Sequence, residues 1–301
     1  MTSRRAGIGI LVGAMALAGS LLAAPLLFHD HGHGLAFSPD GKALLAPGDR
    51  GLAAYEGGVW WEGEGPSGGF SAFSVSERAM YSSGHGQSHA GLLRSVDNGR
   101  SWQPLALRGE TDFRYLAAGY RSNAIYVLNN VLNTQPTSTL PLRGLYVTFD
   151  EGKSWQPAAA NGLGGEIHGM AAHPEQARTL AVATGLGLYV SRDAGESFRR
   201  LGRKGAVTAV AFDREGKRLR YARPLSGALF ETSLEGRRPR ELRLPALEQD
   251  YVTCLAQNPT DDASLALATR RRQVDMTSDG GASWRLIGAG KEEDSIKGEA
   301  G

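Results

Sequence analysis

The stretch Ser95–Trp102 reads Ser-Val-Asp-Asn-Gly-Arg-Ser-Trp, and it decides the fold because three later segments repeat its pattern. The shared pattern is S/T-x-D-x-G-x-S-W/F, and the later copies begin at Thr148, Ser191 and Thr277. Five of the eight positions match in all four copies, which chance rarely produces. The pattern therefore indicates a repeated structural unit.

The residue types of the repeat predict a tight hairpin turn followed by a packed strand. An Asp side chain accepts hydrogen bonds from backbone N–H groups close ahead in the chain, and Gly supplies a positive φ. The final aromatic residue starts the outgoing strand, where it can pack between neighbouring sheets. We expect four aspartates to hold these turns: Asp97, Asp150, Asp193 and Asp279.

This pattern resembles the Asp-box, or BNR, repeat of sialidases, sortilin-type receptors and the photosystem II assembly factor family. In those families the repeat lies on the outer rim of a β-propeller blade and takes no part in catalysis. Over residues 34–288 the chain is similar to exported bacterial propellers of the sialidase-like or glycosylhydrolase-like type. The resemblance implies an all-β propeller fold. The hydrolase label comes from fold relatives and does not transfer residue by residue.

The spacing of the repeats predicts six blades. Asp97 and Asp150 are 53 residues apart, and Asp150 and Asp193 are 43 apart. From Asp193 to Asp279 is 86 residues, twice 43, so one degenerate unit lies between them, with Leu234 in place of the Asp. Another degenerate unit precedes the first repeat. Since each unit has four short apolar runs, we expect a six-bladed propeller of four-stranded antiparallel blades, with seven blades as the alternative.

The two ends of the chain differ from the predicted propeller, which covers 34–288. Residues 1–28 contain Arg4 and Arg5 followed by the uncharged apolar run Ala6–Phe28. This run predicts export, and at about 23 residues it is long enough to span a bilayer. A cleaved signal peptide and a retained anchor are both open; either places the propeller in the periplasm or outside the cell, tethered to the inner membrane if the anchor remains. The polar, charged tail 289–301 is expected to be disordered.

Composition limits the classes of partner. The net charge of +2 is small and the basic residues are mostly scattered, which argues against a nucleic-acid partner. Two arginine clusters, at 237–240 and 270–272, are expected on solvated edges, with an anion site as the alternative. Cys254 is the single cysteine, so no intramolecular disulfide can form.

Five of the seven histidines fall on one face of the predicted ring, near the mouth of its central channel. They either directly precede an innermost strand or follow a second strand, and they are His31, His33, His85, His89 and His168. Imidazole is the commonest protein ligand for zinc and copper. The pattern predicts a copper or zinc site at this mouth. The alternative is that these histidines bond to nearby backbone or lie in loops.

Acidic residues occupy the same rim, in segments leading into innermost strands. The candidates for acid and base catalysis are Asp112, Glu166 and Asp250, with Glu110 and Glu248 beside them. Two carboxylates ~5 to 9.5 Å apart would suit glycoside hydrolysis. They would equally suit partners for the histidines, or plain surface charges. The chain has no Arg-Ile-Pro, and Arg114 and Tyr115 are the only rim Arg and Tyr at suitable positions, which argues against sialidase activity.

The leading hypothesis is an exported, non-catalytic propeller that binds a transition metal or a partner protein at its His-rich channel mouth. One alternative is a glycoside hydrolase that acts on a glycan through the rim carboxylates. Another is an assembly scaffold, which would use outer surfaces and need neither site.

Overall fold

The computed structural model describes residues 34–47, 51–63, 70–84, 91–111, 113–130, 132, 139–224, 227–247 and 249–288. The predicted signal or anchor, 1–28, and the predicted tail, 289–301, lie outside these residues. Within the described ranges no helix is long and apolar enough to cross a membrane.

The described residues form 24 strands. In chain order they are β1 (Ala36–Phe37), β2 (Leu44–Pro47), β3 (Leu52–Glu56), β4 (Val59–Glu62), β5 (Phe70–Val75), β6 (Met80–Gly84), β7 (Leu92–Ser95), β8 (Gln103–Ala106), β9 (Phe113–Ala118), β10 (Ile125–Asn129), β11 (Gly144–Thr148), β12 (Gln156–Ala158), β13 (Ile167–Ala172), β14 (Leu180–Thr184), β15 (Gly187–Ser191), β16 (Arg199–Leu201), β17 (Ala209–Phe212), β18 (Arg218–Arg223), β19 (Ala228–Ser233), β20 (Arg240–Leu242), β21 (Val252–Gln257), β22 (Leu265–Thr269), β23 (Val274–Thr277) and β24 (Arg285–Gly288).

The strands pair into six antiparallel sheets of four, each made of consecutive strands. The prediction of a six-bladed propeller with four-stranded blades is confirmed. The first strand of every blade is the innermost, and the six first strands contact one another around a central channel. We call the face where these strands begin the upper face and the face where they end the lower face.

The second strand of a blade is covered on both sides by neighbouring blades, which explains its continuous apolar sequence. Strand β14 reads LAVAT and β22 reads LALAT, and every residue of both is buried. A short apolar run bounded by turns is typical of such a doubly covered strand. A continuous apolar run such as these therefore identifies the second strand of its blade.

The hydrophobic core of the described residues is divided into six clusters, one between each pair of neighbouring blades. The last residue of the repeat pattern enters these clusters. Trp102 packs against the cluster between blades one and two, Trp155 against that between blades two and three, and Trp284 against that between blades five and six. The aromatic residues of the repeats therefore pack blade against blade, as predicted.

The ring closes by packing of blade one against blade six, without exchange of a strand. The buried Trp60 indole Nε1 donates a hydrogen bond of 2.6 Å to the carbonyl of Ile287 in the last strand. Nearer the lower face, Asn258 Nδ2 donates to the carbonyl of Gly41 at 2.8 Å. Closure therefore depends on side-chain packing and a few long-range hydrogen bonds.

The repeat turns join the third and fourth strands of their blades on the lower face. Asp97 accepts hydrogen bonds from the Ser95 hydroxyl at 2.8 Å, and from the amide and hydroxyl of Ser101 at 2.9 and 2.6 Å. Gly99 follows with φ +81°, and its N–H donates to Ser95 Oγ. These bonds from Ser101 and Ser95 lower the pKa of Asp97 to about 2. Asp150, Asp193 and Asp279 accept the same set of bonds.

Blade five, whose turn carries Leu234 in place of the Asp, contains an ion-pair network instead. Glu231 is buried and receives Arg220 Nε at 3.2 Å, Arg218 Nη1 at 3.2 Å and Arg240 Nη2 at 3.2 Å. The three arginines and the glutamate lie on neighbouring strands of one sheet. The turn itself keeps hydrogen bonds from the N–H groups of Glu235 and Arg237 to Ser233 Oγ, so charge pairing across these strands accompanies the loss of the Asp bonds alone.

Candidate functional site

The six innermost strands enclose a channel of about 780 Å³. Its middle is lined mainly by the alanines and other small or apolar residues of these strands. Its upper mouth lies where the strands begin. The more polar described residues that line the upper mouth are Arg114, Tyr115, His168, Thr208, Tyr251, Thr253, Thr269, Arg270 and Arg272.

The channel lining is strongly basic. Four arginines and one acid, Asp213, are among the described residues that line it, and Asp213 is paired with Arg218 Nε at 3.2 Å. Three of the four, Arg114, Arg270 and Arg272, belong to the upper mouth. A concave site with charges of one sign concentrates ligands of the opposite sign. In the cluster 270–272, Arg270 and Arg271 are exposed, and Arg270 and Arg272 line the channel, so both the solvated edge and the alternative anion site remain open for this cluster.

The hairpin that presents these arginines is fixed to the start of the innermost strand of blade six. The N–H of Arg270 donates to the Tyr251 carbonyl at 3.0 Å. The N–H of Arg271 donates to the Asp250 carboxylate, at 3.1 Å from Oδ2 and 3.3 Å from Oδ1. Arg272 has φ +68°, a conformation that a non-glycine residue keeps only when its surroundings impose it. Asp250 is thus a positioning residue for the hairpin.

Tyr115 and Arg114 begin the innermost strand of blade three, on another side of the mouth. Burial raises the pKa of Tyr115, the positive charge of Arg114 opposes the rise, and the Glu166 carboxylate adds to it. The phenol therefore remains protonated at neutral pH and can donate a hydrogen bond. Together with the arginines it gives the mouth donors suited to a negatively charged group.

His168 is the one metal candidate within the described residues. Its Nδ1 lies 3.0 Å from the carbonyl oxygen of Val207, and because a carbonyl only accepts, Nδ1 carries the proton. In the neutral ring Nε2 then holds the lone pair. The other candidates lie outside the described residues: His31, His33, His85 and His89. Among the residues that are described, no group of three or more His, Cys, Asp or Glu could hold a metal ion, and the predicted site stays a prediction.

Two of the described carboxylate candidates accept hydrogen bonds from backbone N–H groups, and the third is exposed. Asp250 accepts N–H groups from Tyr251, at 2.8 Å, and from the arginine hairpin. Glu110 accepts the N–H of Thr139, in the segment that leads to the third strand of blade three, at 2.7 Å. Glu166 is exposed. None of these three acids is among the residues that line the channel, and Asp112 lies outside the described residues.

The sequence reasoning selected the arginines of the mouth only in part. It gave the cluster 270–272 an anion site as the alternative to a solvated edge, and it used Arg114 only to argue against sialidase activity. One signal could have found them. His85 and His89 were placed at the mouth because they follow the second strand of a blade, and Arg270 and Arg272 follow the second strand of blade six in the same way.

No family model matches the chain, and no curated protein matches it. Several solved structures are similar to the chain. A GH74 enzyme from Niastella koreensis has a TM-score of 0.58 at 13% identity over 89% of this chain and 46% of its own. The GH74 xyloglucanase from Xanthomonas campestris has 0.53 at 19% identity over 88% and 46%. The tricorn protease has 0.61 at 12% identity over 91% and 27%.

The chain therefore spans less than half the length of both GH74 structures and about a quarter of the tricorn protease. At such low identity the likeness shows the β-propeller fold alone. The chemistry of this chain has to be argued from its own residues.

Proposed function

We propose that the chain is an exported, non-catalytic binding protein, built on Asp-box repeats, that holds an acidic group of a protein partner at the upper mouth of its channel. The observation that carries this proposal is the lining, in which arginines outnumber acids and the single described acid, Asp213, is already paired. Arginine binds carboxylates through two parallel hydrogen bonds, which gives both affinity and orientation. Tyr115 adds a neutral donor.

A glycoside hydrolase fits these residues less well. Glycosidases place two carboxylates on either side of the bond that breaks. Here the carboxylates of Asp250 and Glu110 accept backbone N–H groups, and neither they nor Glu166 line the channel. The lining favours a ligand that brings the negative charge itself.

The test is a binding titration with a fluorescent hexaglutamate peptide and its hexaglutamine counterpart. We expect the wild-type protein to prefer the acidic peptide, with an affinity that falls as salt rises. The variant Arg114→Gln/Arg270→Gln should bind it at least about tenfold more weakly, since each charged hydrogen bond contributes roughly 1.5 to 3 kcal/mol. A matched control, Arg237→Gln/Arg238→Gln, removes the same charge from an exposed turn. Equal affinity for the two peptides, or an equal loss in the control, would refute the proposal.

A transition-metal ion at the same mouth is the second candidate, and the tautomer of His168 favours it. Histidines that bind metals usually donate their other ring N–H to a carbonyl or carboxylate, as His168 does to Val207. Copper and zinc are the metals that suit imidazole. Elemental analysis of untagged protein tests this directly. Stoichiometric copper or zinc that is lost in His168→Ala would support it, whereas absence of both metals, with no change of Tm on adding them, would exclude it.

We also infer that the chain is exported and that the run Ala6–Phe28 remains as a membrane anchor. Its length suits a bilayer, and the preceding arginines keep the N-terminus on the cytoplasmic side. Alkaline phosphatase fused after residue 288 should be active, and the full chain should resist extraction from membranes by carbonate. An inactive fusion would refute export, and a soluble product lacking residues 1–28 would refute the anchor.

A further inference from the structure

The upper face carries basic side chains well beyond the channel mouth. The described basic residues of this face are Arg108, Arg114, Arg143, Arg203, Lys204, Arg223, Arg243, Arg270, Arg271 and Arg272. Its described acidic residues are Glu62, Glu110, Glu166 and Asp250. The described residues include 28 Lys or Arg and 22 Asp or Glu in all, so this face holds most of their positive excess. Such a concentration suits a partner with many negative charges on a broad surface.

The direction of the first strand places the same face next to the apolar N-terminal run. Strand β1 runs from the upper to the lower face, so the chain enters the propeller at Gly34 on the upper face. The apolar run ends at Phe28, and only residues 29–33 separate the two. Even fully extended, this link reaches at most about 20 Å. A run that stays in the membrane therefore holds the upper face close to it.

We propose that the upper face lies against the membrane and that its basic residues bind anionic lipid headgroups. This rests on the retained anchor of the proposed function, and it limits the acidic partner to one presented at the membrane surface. A polybasic surface strengthens a single hydrophobic anchor, and each Lys or Arg near anionic lipid raises affinity roughly fivefold. The attraction acts within a Debye length, about 8 Å at physiological salt, which the short link permits.

The orientation can be measured on the full chain in vesicles that contain a headgroup-attached quencher. Leu186 lies on the upper face and is 39% exposed, and Val96 lies on the lower face and is 67% exposed. With Cys254 replaced by alanine, a fluorophore is attached to Leu186→Cys in one protein and to Val96→Cys in the other. We expect strong quenching of the first and little of the second. Equal quenching, or stronger quenching at Val96→Cys, would overturn the proposal.

The lipid contact can be measured without the anchor, since the described blades close into a ring within residues 34–288. Residues 29–301 are floated with vesicles of phosphatidylcholine alone or with about 30% phosphatidylglycerol. We expect binding only to the anionic vesicles. Lys204→Gln/Arg271→Gln, which leaves the channel lining unchanged, should bind roughly 25-fold more weakly. The lower-face control Arg237→Gln/Arg238→Gln should change less than about twofold.

Absence of binding to anionic vesicles, equal binding to both kinds, or an equal loss in the control would each overturn the lipid contact. Its failure is separate from that of the proposed function. The acidic-peptide titration depends on Arg114 and Arg270 in the mouth, and it would still succeed if the outer residues Lys204 and Arg271 did not touch lipid.

Discussion

Asp250 is expected to support ligand binding without touching the ligand. Its carboxylate accepts the N–H of Tyr251 at 2.8 Å and that of Arg271 at 3.1 Å. In Asp250→Ala both donors lose this acceptor. A hydrogen bond to a charged group contributes about 1.5 to 3 kcal/mol, but solvent reaches this half-exposed carboxylate and weakens the effect. We therefore expect the free energy of unfolding to fall by about 1 to 2 kcal/mol.

The effect on binding follows from the strain in the hairpin. Arg272 has φ +68°, which costs of order 1 kcal/mol or more and persists only while the hairpin tip is held. Once released, Arg270 and Arg272 must be ordered again by the ligand. Ordering such side chains costs about 0.5 to 1.5 kcal/mol each, so affinity for the hexaglutamate peptide should fall roughly tenfold.

The measurements are urea denaturation followed by tryptophan fluorescence and the peptide titration. Asp250→Asn is the matched control, because its amide oxygen still accepts an N–H and should preserve most of the affinity, within about threefold. Two outcomes would refute the reasoning. If Asp250→Ala binds the peptide more tightly, the loss of the Asp250 negative charge affects affinity more than the loss of the hydrogen bonds that hold the hairpin. If the protein hydrolyses a glycoside and Asp250→Asn abolishes turnover, the carboxylate acts in catalysis.

Three further predictions concern stability. Trp60→Phe removes the indole hydrogen bond between blades one and six and should lower the free energy of unfolding by about 1 to 2 kcal/mol, seen as a Tm roughly 2 to 8 °C lower; an unchanged Tm would contradict this. Asp97 and Asp150 have a pKa of about 2 in the folded chain against an ordinary 3.8, so their contribution is present above about pH 4 and is lost as pH falls toward 2. Melting curves across that range should show a smaller loss in Asp97→Asn than in wild type. Gly216 has φ +72° and a Cβ there would collide with the His173 ring, so Gly216→Ala should cost at least about 2 kcal/mol in urea denaturation, and a cost near zero would show that the ring moves aside.

The blade count could be predicted from sequence because it rests on local signals. The repeat turn is made within eight residues, so its Asp, Gly and Ser are visible together, as in Ser95–Trp102. The spacing of these turns then fixes the number of blades, even where Leu234 replaces the Asp. Apolar runs such as Leu180–Thr184 mark the covered second strands. No long-range contact has to be known for any of these steps.

The site could be predicted only in part, because its chemistry depends on contacts between distant residues. The sequence placed Asp250 at the rim and suggested catalysis. It did not show that Arg271, 21 residues later, donates its N–H to that carboxylate. The identity of residue 272 as an arginine also does not indicate that its φ is positive. A side chain's role in such a site depends on which neighbours already occupy its hydrogen-bonding groups.

The unexchanged junction between the first and last blades has a consequence for the order of folding. Every blade is one uninterrupted stretch of chain, so each can pack against the blade made just before it as synthesis proceeds. Within the described residues the junction joins the most distant segments, and the partners of the Trp60 hydrogen bond are 227 residues apart. Contacts of such separation form late, because a long loop must close first. We therefore expect the junction to be the last part to assemble. Separation of blades one and six there would break side-chain contacts and a few hydrogen bonds but no pairing between strands.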